Sequence, residues 1–339
     1  MSIVKADEAG IGRAVELLRQ GKLVAIPTET VYGLGADAKN TEAVKRIFAA
    51  KGRPADHPLI VHIPNKAALT DWAIEIPDCA WKLADYFWPG PLTIVLKKHP
   101  EVPVEVTGGQ NTVALRVPAH KVALELLKVF GSGIAAPSAN RFCRISPTQA
   151  AHVEEELGDK VDMILDGGSC KVGLESTIVN FSGSRYQLLR PGQINKAEIE
   201  AILQHPLELP KTPEKIPVPG AMEVHYAPDV PTFLCSIEQI QEILEGQILK
   251  VHNKFGVLTF NKELKTHIST QILTMQENSS AYGHDLYNAL RQLDNTSIDI
   301  ILVENPPQTE AWSAVNDRLI KAAKPFDKNL LELKKQFNS

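Results

Sequence analysis

The sequence predicts an α/β protein of two domains joined by a proline-rich tether. Three observations carry that expectation. Strand-like apolar runs alternate with helix-like periodicity through residues 1–204. Seven of the 23 prolines then fall within His205–Pro231 (Pro206, Pro210, Pro213, Pro217, Pro219, Pro228 and Pro231), a density that prevents regular helix or sheet. From Thr232 the alternation resumes on a smaller scale. A chain of 339 residues is long enough for two cores. The expected boundaries are 1–204, a tether over 205–231, and 232–339.

In the first domain Val15, Leu17 and Leu18 mark a helix that Gly21 caps, followed by the strand Leu23–Pro27. Asn40 or Thr41 can cap a helix whose Val44, Ile47 and Phe48 recur at i, i+3, i+4. Strands are expected at Leu59–Ile63, Leu92–Leu96, Val113–Val117, Ile134–Ala136, Met163–Leu165, Ile178–Phe181 and Tyr186–Leu189. Ser146-Pro147-Thr148-Gln149 has the form of a capping box with proline at the first helical position, opening a helix that ends near Leu157-Gly158. Many strands with helices between them predict α/β or α+β with a large sheet. In the second domain, strands at Thr232–Leu234, Gly256–Phe260 and Asp299–Val303 alternate with helices at Glu238–Leu244, Ser280–Leu293 and Glu310–Ala323. That pattern predicts a small three-layer α/β domain.

Composition narrows the function. The net charge is −4, and acidic and basic residues balance over 1–204. A global nucleic-acid or anionic-membrane surface is therefore not expected, and any basic surface must be a local patch. Cys79, Cys143, Cys170 and Cys235 stand far apart with no C-x-x-C pair. Neither a zinc site nor a disulfide framework is indicated, and the thiols read as reduced ones in a cytoplasmic protein. Met1–Gly10 holds Asp7 and Glu8 without an apolar core, which argues against a signal peptide, and no apolar run approaches bilayer length.

Lys51-Gly52-Arg53-Pro54 places two cations one residue apart, stiffened by proline, where a helix gives way to the apolar run ending at His62. A polyanion such as a nucleoside triphosphate is the partner such a pair fits. Gly33-Leu34-Gly35-Ala36-Asp37-Ala38 imitates a dinucleotide fingerprint, but Thr28–Tyr32 separates it from its strand and no helix signal follows. P-loop, zincin and nucleophile-elbow motifs are absent. What remains is a set of hydroxyls, amides and cations at strand ends. Thr28, Glu29, Thr30 and Tyr32 follow the first of these strands; Thr112 and Arg116 share one strand face; Ser138 and Asn140 follow another strand. Ser146 stands at the expected helix start, where an anion is favoured. Glu175, Ser176 and Thr177 precede a strand, and Arg190 ends one.

The motifs P-T-E-T-V-Y-G-L (27–34), K-G-R-P…P-L-I-V-H (51–62), P-G-P-L-T (89–93), S-A-N (138–140), I-S-P-T (145–148), G-L-E-S-T-I-V (173–179) and L-R-P-G (189–192) occur in this order. Together they resemble the YrdC-like domain of the L-threonylcarbamoyladenylate synthase family, over residues 10–200. His225-Tyr226-Ala227-Pro228 and residues 314–323 are similar to the long, two-domain form. The resemblance implies a YrdC-like α/β domain with a large mixed twisted sheet, plus a small Rossmann-like three-layer domain. It implies an enzyme that condenses L-threonine, bicarbonate or CO2 and ATP with Mg²⁺ to L-threonylcarbamoyl-AMP and pyrophosphate. A separate transferase then passes the group to tRNA. The carbamate itself attacks the α-phosphate, so cations and backbone N–H groups suffice and no enzyme nucleophile is needed.

By the same resemblance the L-threonine site would use Thr30, His62, Arg116, Ala136 and Ser176. The ATP site would use Lys51, Arg53, His57, Thr112, Ser138, Asn140, Ser146, Arg190 and Tyr226, with Lys51 and Arg53 the catalytic cations. No metal ligand is expected from the protein, Mg²⁺ arriving on the ATP phosphates. Tyr226 would close from the tether as a lid. Two departures from the family pattern stand out: Arg141-Phe142-Cys143-Arg144, where relatives carry glycine at Cys143, and Glu223 and Val224, where relatives carry basic residues. The competing reading is a double-stranded RNA or tRNA binder using a patch of Lys51, Arg53, Arg116, Arg141, Arg144 and Arg190.

Overall fold

The computed structural model describes residues 3–210, 218–220, 224–246, 254–264, 266 and 269–327. Pro213, Pro217 and Glu223 lie outside the described residues. Two compact units emerge: Met1–Phe142 with Ser146–Ala221, and Cys143–Ile145 with Met222–Ser339. Of the described tether residues, 205–210 and 218–220 group with the first unit and 224–231 with the second.

The first unit's strands are β1 (Ile3–Lys5), β2 (Val24–Ile26), β3 (Gly33–Asp37), β4 (Ile60–His62), β5 (Leu92–Lys97), β6 (Thr112–Arg116), β7 (Ile134–Ala135), β8 (Met163–Asp166), β9 (Thr177–Asn180) and β10 (Gln187–Arg190). Its helices are α1 (Glu8–Arg19), α2 (Thr41–Lys51), α3 (Asp78–Phe87), α4 (Val104–Thr107), α5 (Lys121–Phe130), α6 (Ala150–Leu157) and α7 (Lys196–Leu203). All these strands join one sheet in the order β1-β8-β2-β3-β7-β4-β6-β5-β9-β10. The sheet is mixed, with β4 parallel to β6 and β6 antiparallel to β5. Successive side chains of a strand point to opposite faces, and β2 shows the consequence. Val24 and Ile26 enter a core with Ile11, Ala14 and Val15 of α1 and Leu126 and Leu127 of α5, whereas Ala25 enters the larger core with Val44 and Ile47 of α2. Helices therefore cover both faces.

Local chemistry sets the helix ends that matter for the site. Asn40 caps α2 by accepting the Ala43 N–H at 3.1 Å. Gly52 ends α2 in the left-handed region (φ 64°), where glycine is favoured, so Lys51 is the last helical residue and Arg53 the first beyond the turn.

The rejected fingerprint has a structural role, and one expectation is corrected. The Gly33-Leu34-Gly35 fingerprint imitation is strand β3, and a Cβ on Gly35 would lie 2.9 Å from the Val24 carbonyl; its glycines serve strand packing. The helix expected from Ser146 starts at Ala150, capped by Gln149 with no side-chain bond. Pro147 and Thr148 lie outside the helix instead, their carbonyls accepting the N–H groups of Tyr32 and Cys170 at 2.9 Å. Ser146 is thus not a helix cap.

The second unit holds β11 (Thr232–Cys235), α8 (Ile237–Leu244), β12 (Phe255–Thr259), β13 (Thr270–Thr274), α9 (Ser279–Asp294), β14 (Ile300–Glu304), α10 (Ser313–Ala322) and β15 (Lys324–Pro325). Its sheet is parallel throughout, in the order β13-β12-β14-β11-β15. Strands β13 and β15 were not expected: β13 is only half-buried and β15 spans two residues. The helix expected over Glu310–Ala323 is a 3₁₀ turn, Glu310–Trp312, followed by α10. Among the described residues no helix is long and apolar enough to cross a membrane.

Candidate functional site

The expected threonine-site residues gather around the C-terminal ends of β4 and β6. Their register places His62 beside Arg116. Arg116 is fixed by its Nε, which donates to the Gly90 carbonyl at 3.1 Å, and by its Nη1, which donates to Thr30 Oγ1 at 2.8 Å. Its Nη2 lies 2.6 Å from Glu29 Oε1, in a geometry that makes an ion pair but not a hydrogen bond. Thr30 is set by a turn in which Thr28 Oγ1 accepts the N–H groups of Thr30 and Val31 at 3.1 and 3.2 Å. The His62 Nδ1 has no hydrogen-bond partner. Burial, and then the Arg116 charge, hold its pKa well below the usual histidine value, so the ring is neutral. Ala136, just past the end of β7 beside β4, donates its N–H to the Ile60 carbonyl at 2.9 Å.

The segment Gly90–Thr93 links this group to the next. Gly90 holds Arg116, the Pro91 carbonyl accepts the Thr177 N–H at 2.9 Å, and the Thr93 hydroxyl pairs with Ser176 Oγ at 2.7 Å. Arg190 completes the chain of contacts. It donates to Ser176 Oγ from Nη2 (3.2 Å), to the Ser176 carbonyl from Nε (3.0 Å) and to the Pro219 carbonyl from Nη1 (2.9 Å).

The expected nucleotide residues cluster around the end of α2. Lys51 Nζ donates to the carbonyls of Ser138 and Asn140. Arg53 Nη2 donates to the Pro58 carbonyl at 3.0 Å, and its guanidinium lies 6.0 Å from the Phe142 ring. His57 meets the same ring edge-on at 5.5 Å. Burial, then Arg53, lower its pKa. Ser146 Oγ donates to Glu175 Oε1 at 2.5 Å. Thr112 begins β6 and sits about 13 Å from Arg116 by strand rise; the register Ile60↔Ala114 carries it toward Pro58, on the Arg53 side. Tyr226 belongs to the second unit. There its ring stacks on Tyr287 at 5.8 Å, lies 5.3 Å from the Arg318 guanidinium, and takes a left-handed backbone (φ 62°).

The patch offered for RNA is not an open surface. Lys51, Arg53, Arg116 and Arg190 are 3%, 8%, 3% and 3% exposed. Arg141 pairs with Glu156 at 3.2 Å, and Arg144 with Asp229 and Asp294 at 2.7 and 2.8 Å. Among the described residues no group of three His, Cys, Asp or Glu could hold a metal ion. Contacts of the expected site residues that the expected site did not include are Glu29, Thr93, Glu175 and the Gly90 and Pro219 carbonyls. Glu29 was visible as a charge beside two threonines, but Arg116 stands 86 positions from Thr30.

A family model described as "Telomere recombination" matches residues 16–192, and one described as "Threonylcarbamoyl-AMP synthase, C-terminal domain" matches residues 194–324. The threonylcarbamoyl-AMP synthase of Pyrococcus abyssi is 42% identical over 94% of this chain and 95% of the relative. That of Bacillus subtilis is 40% identical over 94% of each. A crystal structure of P. abyssi Sua5 complexed with L-threonine superposes with a TM-score of 0.88 at 38% identity, covering 96% of this chain and 99% of that one.

Proposed function

The chain belongs to the threonylcarbamoyl-AMP synthase family, and from that premise we propose that it condenses L-threonine, bicarbonate or CO2 and ATP to L-threonylcarbamoyl-AMP and pyrophosphate. The observation that best supports this reading is the set of four buried cations at strand and helix ends, Lys51, Arg53, Arg116 and Arg190. Buried cations fixed in advance suit a carboxylate and a polyphosphate, because they need no rearrangement as charge moves.

In this reading L-threonine lies among Thr30, His62, Arg116, Ala136 and Ser176. Its carboxylate takes the Arg116 guanidinium, and the neutral His62 and the Thr30 hydroxyl are candidates for its side-chain hydroxyl. ATP lies among Lys51, Arg53, His57, Thr112, Ser138, Asn140, Ser146 and Arg190, with Tyr226 closing over it. A carbamate oxygen attacks the α-phosphorus, the bond to the bridging oxygen of pyrophosphate breaks, and Lys51 and Arg53 offset the charge that develops on the leaving group. Mg²⁺ would arrive with the nucleotide substrate and neutralise its phosphates. The product is a mixed anhydride, prone to hydrolysis. It suits a cytoplasmic transferase that passes the threonylcarbamoyl group to a tRNA adenosine.

The test is pyrophosphate release with labelled bicarbonate. Release should require L-threonine and ATP together, and the label should appear in an adenylate. Duplex RNA binding without threonine-dependent release would overturn this reading in favour of the RNA module.

A further inference from the structure

Glu29 brings a full carboxylate into the site beside Arg116. Its backbone is pinned, the Val172 N–H donating to its carbonyl at 2.7 Å and the Thr28 turn following directly. The side chain is 7% exposed, and neither oxygen has a hydrogen bond; Arg116 Nη2, 2.6 Å away, has none either. A buried carboxylate so poorly satisfied costs stability, and such a group calls for an explanation beyond packing.

The ligand's chemistry supplies one. A cation and an anion side by side are the complement of an amino-acid zwitterion, whose carboxylate and ammonium would replace the strained ion pair with two aligned contacts. We propose that Glu29 receives the α-ammonium of L-threonine and takes its proton, freeing the amine to become a carbamate. This rests on the threonine site proposed at Arg116. Of the other titratable groups nearby, Glu175 already accepts the Ser146 hydroxyl at 2.5 Å. Cys170 feels Glu29, but burial first and Glu29 second push its thiol up to about 12. Burial lowers the pKa of His120, as it does for His62, so both rings are neutral.

The protons balance with bicarbonate as the carbon source. The ammonium gives one proton to the Glu29 carboxylate, leaving the nitrogen lone pair free. The protonated Glu29 returns that proton to the bicarbonate hydroxyl, which leaves as water and releases CO2. The amine forms the N–C bond, and the nitrogen sheds its second proton to water as the carbamate anion appears.

Glu29→Gln tests this by comparing two directions. Forward, threonine- and bicarbonate-dependent pyrophosphate release requires the ammonium proton to leave. In reverse, pyrophosphate and preformed L-threonylcarbamoyl-AMP give ATP with no ammonium involved. The forward rate should fall by about 100-fold, the lower range for a positioned base, while the reverse rate stays near wild type and Glu29→Asp recovers part of the forward loss. Equal loss in both directions would reduce Glu29 to a support for Arg116, and an unchanged forward rate would remove its role altogether. Arg116→Ala separates the two layers of the argument. Wild-type L-threonine affinity in that variant overturns the threonine site and Glu29's role with it. Weakened affinity there, beside full forward activity in Glu29→Gln, overturns Glu29's role alone.

Discussion

Lys51 in the first unit and Arg318 in the second are both buried cations, but they keep different company. Lys51 donates to the carbonyls of Ser138 and Asn140, Arg53 to that of Pro58, and Arg190 to those of Ser176 and Pro219. Carbonyl dipoles orient a guanidinium or ammonium. In the second unit Arg318 meets the Asp317 carboxylate at 2.6 Å, Lys321 meets the other Asp317 oxygen at 2.6 Å, and Arg144 meets Asp294 and Asp229. There the charges are matched by full opposite charges. Arg116 of the first unit also meets a carboxylate, that of Glu29. The difference therefore lies in the carbonyl oxygens that hold Lys51, Arg53 and Arg190, the cations proposed to meet the nucleotide, and substitutions should fall on different observables in the two units.

The largest effect on stability should come from Asp294. Its side chain is 5% exposed, pairs with Arg144 and accepts the Val230 N–H at 2.8 Å. Asp294→Ala leaves an enclosed guanidinium short of a partner, which costs about 3 kcal/mol or more. Urea unfolding should show that loss while L-threonine affinity stays unchanged, and Asp294→Asn should recover part of it. A drop in threonine affinity with intact stability would break the distinction.

Lys51→Ala should do the reverse. Removing a charge-assisted contact in a desolvated site costs about 1.5–3 kcal/mol of binding, or roughly one to two decades in ATP affinity. Isothermal titration with a non-hydrolysable ATP analogue measures this directly. Wild-type affinity would remove the K-G-R-P segment from the nucleotide site.

Parts of this contrast were legible in the sequence, and the reason is physical. Apolar strand runs mark themselves locally, so Leu92–Leu96 and Val113–Val117 correspond to β5 and β6 within a residue. The half-buried β13 and the two-residue β15 leave weaker traces. Side-chain company is another matter. Ser146-Pro147-Thr148-Gln149 has the local form of a cap, yet Ser146 bonds Glu175 instead, 29 positions away. Arg144 finds Asp294 across 150 positions. Such pairings belong to the folded topology, which no local pattern encodes.

A smaller effect tests the electrostatics beside Arg116. Burial and Arg116 keep folded His62 neutral, whereas an unfolded histidine takes a proton near pH 6.5. The unfolded state therefore binds more protons as pH falls below about 6.5, so stability is full above that pH and declines below it. The slope contributed by His62 is at most about 1.4 kcal/mol per pH unit. His62→Gln should flatten the pH dependence of unfolding between about pH 6.5 and 5 by that amount. His57 and His120 are lowered as well, but both remain in each protein and cancel in the comparison. An unchanged slope would mean that His62 is not held neutral by its surroundings.

The smallest effect calibrates the other three. Each unit has a helix opened by a reciprocal capping box. In the first, Asn195 accepts the Glu198 N–H at 2.9 Å and Glu198 accepts the Asn195 N–H at 2.8 Å, at the start of α7. In the second, Ser236 accepts the Gln239 N–H at 3.3 Å and Gln239 accepts the Ser236 N–H at 2.8 Å, at the start of α8. Alanine at either cap removes an acceptor for an otherwise orphaned helix donor, at a cost of about 1 kcal/mol. Both variants should lower the unfolding midpoint slightly and leave L-threonine and ATP affinities at wild-type values. That outcome would show that a modest loss of stability in either unit does not by itself weaken ligand binding, so the loss expected in Lys51→Ala reports charge. If Asn195→Ala weakened ATP binding as much as Lys51→Ala does, the first unit's affinity would follow its stability, and the contrast between the two sets of cations would lose its meaning.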